Sequence, residues 1–144
     1  MTIFNIGTIE FARGKYAKAM AAFQSTMKMQ KAVFGVDSAL IGVASHSIGE
    51  VAERLNDMNQ AMKSYQIALE IDQITLGKNH PQVGHLLHKM GRIQYRHLRN
   101  YREAEKLCNV ALSVYRSSRF QEKDLFIRDL LRDMANIKAL KQFA

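Results

Sequence analysis

Apolar residues recur along the chain at spacings of three and four, which is typical of α-helices with one buried face. In the second half, for example, Leu86, Met90 and Ile93 form one such stripe, and Ala111 and Tyr115 belong to the next. Short polar turns separate seven stretches of this kind. The pattern predicts an all-α chain of about seven helices, at about residues 2–12, 16–33, 38–55, 58–76, 81–98, 101–116 and 125–141.

The same residue types return at a fixed offset along the sequence. Gly7, Gly49 and Gly91 each follow an apolar residue and stand 42 positions apart, as do Ala19 and Ala61. A repeat of this length is typical of solenoids, in which pairs of helices stack on one another. We expect the glycines and alanines to lie where the two helices of a pair approach closely, because a large side chain there pushes them apart.

Candidate helix N-caps support a fourth, partial repeat. Ser38, His80 and Asp124 each lie ten residues before the key apolar residue of their helix, and Pro81 is suited to a first helical position. We therefore predict one domain over residues 1–144. Its repeats are expected at about 1–37, 38–79 and 80–121, with a half repeat at 122–144. The chain is either an excerpt from a longer array or a self-associating unit.

Positive charge is concentrated in the third repeat. The chain holds 21 basic and 13 acidic residues, a formal net charge of +8, and residues 85–119 contain eight basic and only two acidic ones. A local excess favours a specific surface that attracts acidic ligands over a general polyelectrolyte. A solvated positive face is the plain alternative.

The sequence also indicates a compartment. Cys108 is the only cysteine, so an internal disulfide is excluded, as is common in a reducing compartment. No run of about 18 apolar residues is present, and the first residues lack the basic start of a secretory signal. We expect a cytoplasmic protein without membrane contact.

Two segments resemble the tetratricopeptide repeat in its 42-residue variety, which occurs in kinesin light chains. The first is Leu76-Gly77-Lys78-Asn79-His80-Pro81-Gln82-Val83, and the second is the helix from Tyr101 to Leu112 with Glu103-Ala104-Glu105 near its start. The resemblance implies a right-handed α-solenoid of stacked antiparallel helix pairs. It also implies a non-enzymatic scaffold that binds a partner peptide or helix. The sequence departs from the light chains at His46-Ser47 and His88-Lys89, where that family usually has paired asparagines.

The resemblance further implies that the first helix of each pair lines a concave groove. Asp129 and Asp133 fall at groove positions of the last helix. Phe4 and Thr8 stand where relatives that clamp a carboxylate need Lys and Asn, so that specific function is not expected. The candidate groove residues are Asn5, Thr8, His46, Ser47, Glu50, Glu53, Arg54, His85, His88, Lys89, Arg92, Tyr95, Arg96, Arg132 and Asn136.

Several partners remain to be weighed. The first candidate partner is a protein segment with acidic residues that lie against the third repeat. The second is another copy of the chain, bound through the first helix, since that helix has no preceding repeat to cover it. Nucleic acid is the alternative that the local charge allows, but Tyr95 is a single stacking ring.

Catalysis, cofactors and metals are not expected. Glu50 and Glu53 have no nucleophile or glycine-rich loop beside them. His85 and His88 make at most half a zinc site. Cys108 aligns with Phe23 and Tyr65, which predicts a packed core residue.

Overall fold

The computed structural model describes residues 1–36, 38–119 and 123–143. Over those residues the chain is an all-α repeat fold of antiparallel helix pairs, which confirms the predicted fold class. None of the helices described is long and apolar enough to cross a membrane. The helices are α1 (Ile3–Ala12), α2 (Tyr16–Phe34), α3 (Ala39–Arg54), α4 (Met58–Thr75), α5 (Pro81–Arg96), α6 (Tyr101–Ser117) and α7 (Lys123–Gln142).

Polar side chains start the helices where the sequence indicates. The Ser38 hydroxyl accepts a hydrogen bond from the Leu40 amide at 3.1 Å, and His80 Nδ1 accepts one from the Gln82 amide at 3.1 Å. Pro81 occupies the first turn of α5. The prediction for Asp124 was wrong, because α7 begins at Lys123 and Asp124 lies inside its first turn. A carboxylate there still interacts favourably with the helix dipole.

Two helices end just before glycines, as predicted, but α4 and α5 end one and two residues earlier than expected. Gly35 and Gly77 have φ values of 84° and 94°, a region in which a side chain is strained, so each glycine ends the helix before it. We expected Leu76 and Leu98 in the buried stripes of α4 and α5. Both lie beyond the ends of those helices and are exposed.

The chain divides into two compact units. The first covers Met1–Ile71 and has Phe23 and Tyr65 at its centre. A Cβ atom on Gly7 would lie 2.7 Å from a ring atom of Phe23, and one on Gly49 would meet the ring of Tyr65. The predicted close approach at these glycines is therefore confirmed in this unit.

The second unit covers Asp72–Ala144 and repeats the arrangement with a smaller facing residue. A Cβ atom on Gly91 would lie 2.8 Å from Cys108 Sγ, and one on Gly84 would lie 2.6 Å from the Tyr115 ring. Cys108 is fully buried, and burial raises the pKa of its thiol to about 12. The prediction that Cys108 is a packed core residue is confirmed.

Candidate binding site

The predicted groove residues of the first unit lie on α1 and α3. Asn5 and Thr8 are exposed on α1, and the Thr8 hydroxyl donates to the carbonyl oxygen of Phe4 at 3.1 Å. On α3, Ser47 is half-buried. Phe4 and the exposed Val43 border an apolar cavity of about 410 Å³ in the same unit.

The charged groove candidates of α3 contact side chains of their own unit. Glu53 accepts a hydrogen bond from the buried hydroxyl of Tyr65, and His46 lies 3.9 Å from Glu50. The Arg54 guanidinium lies over the ring of Phe11, 5.7 Å from its centroid. Burial and the Glu53 carboxylate hold the pKa of Tyr65 well above its ordinary value, so its hydroxyl stays protonated and donates to Glu53. These acidic side chains are therefore already partnered.

In the second unit, four predicted groove residues of α5 converge on one carboxylate of α7. Asp133 Oδ2 lies 2.5 Å from His88 Nε2 and accepts from Arg92 Nε at 2.7 Å. Its other oxygen, Oδ1, accepts from the Tyr95 hydroxyl at 2.6 Å and lies 3.5 Å from Arg96. We name these five residues the Asp133 cluster.

The pKa values of Asp133 and His88 are both lowered, whereas a simple ion pair would raise that of His88. Burial alone raises the pKa of Asp133, but the hydrogen bonds from Tyr95, Arg92 and His88 outweigh it and bring the pKa to about 2. Burial lowers the pKa of His88 more than its bond to Asp133 raises it. At neutral pH the aspartate is therefore ionised, and a neutral His88 donates its Nε2 proton to it.

Burial within the cluster differs from the expectation for an open groove. Asp133 has a side chain only 4% exposed, and both His88 and Tyr95 are buried. We expected His88 and Tyr95 to face a ligand, but their polar atoms face Asp133. The side chains of Arg92 and Arg96 are 42% and 53% exposed, so these two residues present the cluster to solvent.

Two positive guanidinium groups share the single negative charge of Asp133. Arg96 also donates from Nε to the Tyr95 hydroxyl at 2.9 Å, and its guanidinium lies 5.4 Å from the centroid of the Tyr95 ring. The cluster thus has a net positive charge and restrains the orientation of both arginines. The second unit contains 14 basic and seven acidic residues, whereas the first unit contains seven basic and six acidic residues.

His85 belongs to a separate contact, with different partners from those of His88. Its Nδ1 accepts a hydrogen bond from the Tyr115 hydroxyl at 2.7 Å, and its ring packs edge-on against Phe126 at 4.3 Å. Burial lowers the pKa of His85, and the neighbouring His88 and Lys89 lower it further. The two histidines do not form a joint site, and no group of three or more His, Cys, Asp or Glu among the described residues could hold a metal ion.

The remaining candidates lie on α5 and α7. Lys89 is half-buried, and Asn136 is exposed. Arg132 is exposed and lies 3.7 Å from Asp129 of its own helix. None of these residues is part of the Asp133 cluster.

Asp133 was expected in the groove from its position in the sequence, but not as the partner of the α5 side chains. A signal was present. His88, Arg92 and Arg96 are four residues apart and share one face of α5, and such a row of donors requires an acceptor when it is partly buried. Asp133 was one of two acidic residues, with Asp129, at groove positions of the next such helix.

Comparison with known proteins relates this chain to one family and to solved structures. A family model described as the tetratricopeptide repeat matches residues 1–73 and 43–117. A crystal structure of kinesin light chain TPR-like repeats from Podosopora anserina superimposes with a TM-score of 0.78 at 12% sequence identity. The match covers 97% of this chain and 65% of the light chain structure. Because the sequence identity is only 12%, the match supports the fold alone. A search of curated proteins gives no match.

Proposed function

Since the chain belongs to the tetratricopeptide repeat family, we propose that it is a scaffold that binds an acidic segment of a partner protein through its second unit. Tetratricopeptide repeats generally mediate protein–protein interaction and are typically non-enzymatic. The observation that carries the proposal is the Asp133 cluster, in which one buried carboxylate holds two half-exposed arginines.

The cluster suits an acidic ligand for two reasons. Restraint by Asp133 reduces the side-chain entropy that Arg92 and Arg96 lose on binding. Their charge exceeds that of Asp133, and the surrounding unit adds to the positive potential, which steers an acidic segment toward this surface. Lys89 and Arg96 are seven residues apart on α5, and therefore share one helix face with Arg92 between them.

The buried Tyr95 ring favours protein over nucleic acid as the ligand. A single-stranded nucleic acid is held by aromatic rings on which its bases stack. The Tyr95 ring is buried and has the Arg96 guanidinium beside it, so it does not offer such a surface.

The test is a charge reversal at Lys89 and Arg96, which leaves Arg92 in place. Reversing Arg92 would put a second carboxylate in direct contact with Asp133 and disturb the fold, whereas Lys89 lies outside the cluster and Arg96 is 3.5 Å from Asp133 with a side chain 53% exposed. Each exposed ionic contact contributes about 0.5–1 kcal/mol, and reversal adds repulsion. We expect the double variant Lys89→Glu, Arg96→Glu to bind a fluorescein-labelled acidic peptide about tenfold more weakly at low salt.

The control changes the same net charge elsewhere in the unit. Arg102 and Arg128 are exposed on α6 and α7, and the variant Arg102→Glu, Arg128→Glu is expected to retain affinity within about twofold. Binding is measured by fluorescence polarisation against a matched peptide with Gln in place of Glu. Equal losses in both variants would point to a diffuse charge effect, and no loss in either would leave the cluster as a solvated face.

Self-association through α1 is a second candidate function. Ile3, Ile6 and Ile9 are exposed on one side of α1, and apolar side chains at this spacing form a stripe that suits a helix partner. If the stripe pairs with a second copy, sedimentation velocity of the parent protein will show a dimer that Ile6→Lys abolishes. Val110→Lys, an equally exposed apolar position on α6, is the control. A parent protein that stays monomeric at all concentrations excludes this function.

A further inference from the structure

Helix α6 has an exposed face made of basic and polar side chains. Its members lie four, three, four and three residues apart, so they keep to one side of the helix. Two more exposed arginines, Arg99 and Arg119, lie just outside the two ends of α6. We name the exposed residues on this side of the helix the outer stripe: Arg102, Lys106, Asn109, Ser113 and Arg116.

The carboxylates of α6 lie beside the outer stripe and not within it. Glu103 and Glu105 are half-buried, and Glu105 pairs with Lys141 of α7 at 3.1 Å. The outer stripe thus carries three positive charges, or five with the two flanking arginines, and it has no acidic member.

The fold leaves this face open to solvent and does not dictate its charge. Ala104 and Ala61 correspond to each other, because each is the fourth residue of its helix and each is fully buried. The first four positions of the outer stripe then correspond to Asn59, Lys63, Gln66 and Glu70 of α4. These four residues are exposed too, although three more helices follow α4. Helix α4 has one positive and one negative charge at these positions, so neither exposure nor the repeat fold requires the basic residues of α6.

The composition of the outer stripe fits a nucleic-acid backbone better than a protein or a membrane. A protein interface has an apolar core, and a helix on a membrane surface buries apolar side chains in the lipid. The outer stripe has no apolar member, and Val110, which is 49% exposed, lies to one side of it. Arg, Lys, Asn and Ser side chains all bind phosphate oxygens, and interfaces with nucleic acid are more polar and more positively charged than those between proteins.

The aromatic residues of α6 favour a duplex over a single strand. Single strands stack their bases on exposed aromatic rings. Tyr101 is half-buried and Tyr115 is fully buried, so α6 does not present a row of such rings. From Arg102 to Arg116 the outer stripe is about 21 Å long, which corresponds to about six base pairs of B-DNA. A duplex therefore offers phosphates along the whole stripe.

We infer that the outer stripe of α6 binds the phosphate backbone of double-stranded nucleic acid without sequence preference. The outer stripe consists of α6 side chains, whereas the Asp133 cluster consists of side chains from α5 and α7. This second binding activity therefore neither uses nor requires the binding of an acidic segment.

The test measures the binding of a fluorescein-labelled DNA duplex of about 20 base pairs by fluorescence polarisation, at about 50 to 200 mM salt. Five phosphate contacts predict a slope of about −4.5 in a plot of log K against log salt concentration. The variant Arg102→Gln, Lys106→Gln, Arg116→Gln removes three of these contacts. We expect its slope to be about −2 and its affinity at about 50 mM salt to be more than tenfold lower. Glutamine is a good helix former, so the circular dichroism spectrum should not change.

The matched control removes the same number of charges from α2. Lys18, Lys28 and Lys31 are exposed on that helix. The variant Lys18→Gln, Lys28→Gln, Lys31→Gln should keep the salt dependence of the parent protein and its affinity within about twofold, because charges beyond a Debye length are screened. A loss of binding confined to the α6 variant, with equal affinity of the parent protein for two duplexes of unrelated sequence, supports the inference.

Other results would overturn it. A parent protein that does not bind the duplex at low salt has no such site, and equal losses in the α6 and α2 variants would show a diffuse charge effect. A strong preference for one duplex sequence, or tighter binding of a single strand of the same length, would contradict recognition of a duplex backbone. If the parent protein binds phosphatidylserine vesicles through the outer stripe and does not bind the duplex, the stripe is a membrane contact instead.

Discussion

Substitution of Asp133 by Asn tests the central electrostatic feature of the second unit. The carboxylate accepts hydrogen bonds from Tyr95 and Arg92 and contacts His88 at distances between 2.5 and 2.7 Å. Asn has nearly the same shape but one acceptor oxygen and no charge. If its oxygen faces Arg92 and His88, its amide faces the Tyr95 hydroxyl, which then loses its acceptor. One side of the cluster is unsatisfied in either orientation.

The magnitude follows from the pKa. The pKa of Asp133 is about 2 in the folded chain against 3.8 for the free side chain, which corresponds to about 2 kcal/mol of stability at pH 7. Removing one member of a fully buried ion pair costs about 3–5 kcal/mol. The value of about 2 kcal/mol from the pKa applies here. The arginines are about half exposed, so water can solvate them when Asp133 is changed.

The same linkage predicts a pH dependence. The folded-state pKa lies below the unfolded one, so the contribution of Asp133 is present above about pH 5 and is lost as the pH falls toward 2. As the pH falls, the free energy of unfolding of the parent protein should therefore decrease by about 2 kcal/mol because of Asp133. The variant Asp133→Asn should not show this part of the decrease. The gap between the two proteins is expected to be largest at pH 7 and to narrow at pH 3.

Urea unfolding followed by circular dichroism at pH 7 and pH 3 measures both effects. With a slope of about 2 kcal/mol per molar urea, Asp133→Asn shifts the pH 7 midpoint by about 1 M. The matched control is Asp129→Asn on the same helix, where the carboxylate is 52% exposed and paired with Arg132, and we expect a change within about 0.5 kcal/mol. Equal midpoints for the two variants at pH 7 would refute the reasoning.

The glycine contacts give two further predictions. Gly91→Ala places a methyl group 2.8 Å from Cys108 Sγ and should lower the free energy of unfolding by about 1–2 kcal/mol. Adding Cys108→Ala should restore most of this loss. A double variant no more stable than Gly91→Ala would contradict the contact. Gly49→Leu should cost about 1–3 kcal/mol, because the buried ring of Tyr65 cannot move aside, and an unchanged melting midpoint would show that the repeat register is wrong.

The sequence was sufficient for the elements and the register but not for the polar contacts. Glycines 42 residues apart mark the helix-pair contacts because the same steric requirement acts in every repeat. The close approach at Gly91 was therefore predictable, but the residue nearest to it is Cys108 and not the expected Ala104. The pairing of Asp133 with Tyr95 and His88 occurs once, joins residues 38 and 45 positions apart, and leaves no periodic trace. The division into repeats at about 38, 80 and 122 stays a prediction.

Helix ends were the other weak point. The turn residues indicated where each helix had to stop, but not how many residues the turn uses. Leu98 follows α5 at helical spacing, yet the helix ends at Arg96, and Arg99 adopts a positive φ of 53°. An apolar residue beyond the last turn has the same sequence spacing as one inside it, so periodicity alone cannot distinguish the two.

Stability and binding are linked at the Asp133 cluster, and this restricts where an acidic ligand can bind. A ligand carboxylate that draws Arg92 away from Asp133 has to replace an interaction that is part of about 2 kcal/mol of folding free energy. A carboxylate that meets the more exposed Arg96 has less to displace, since Arg96 is 3.5 Å from Asp133 and Arg92 is at 2.7 Å. An acidic segment should therefore bind at the Arg96 end of α5. Arg92 then contributes to its affinity mainly through long-range attraction.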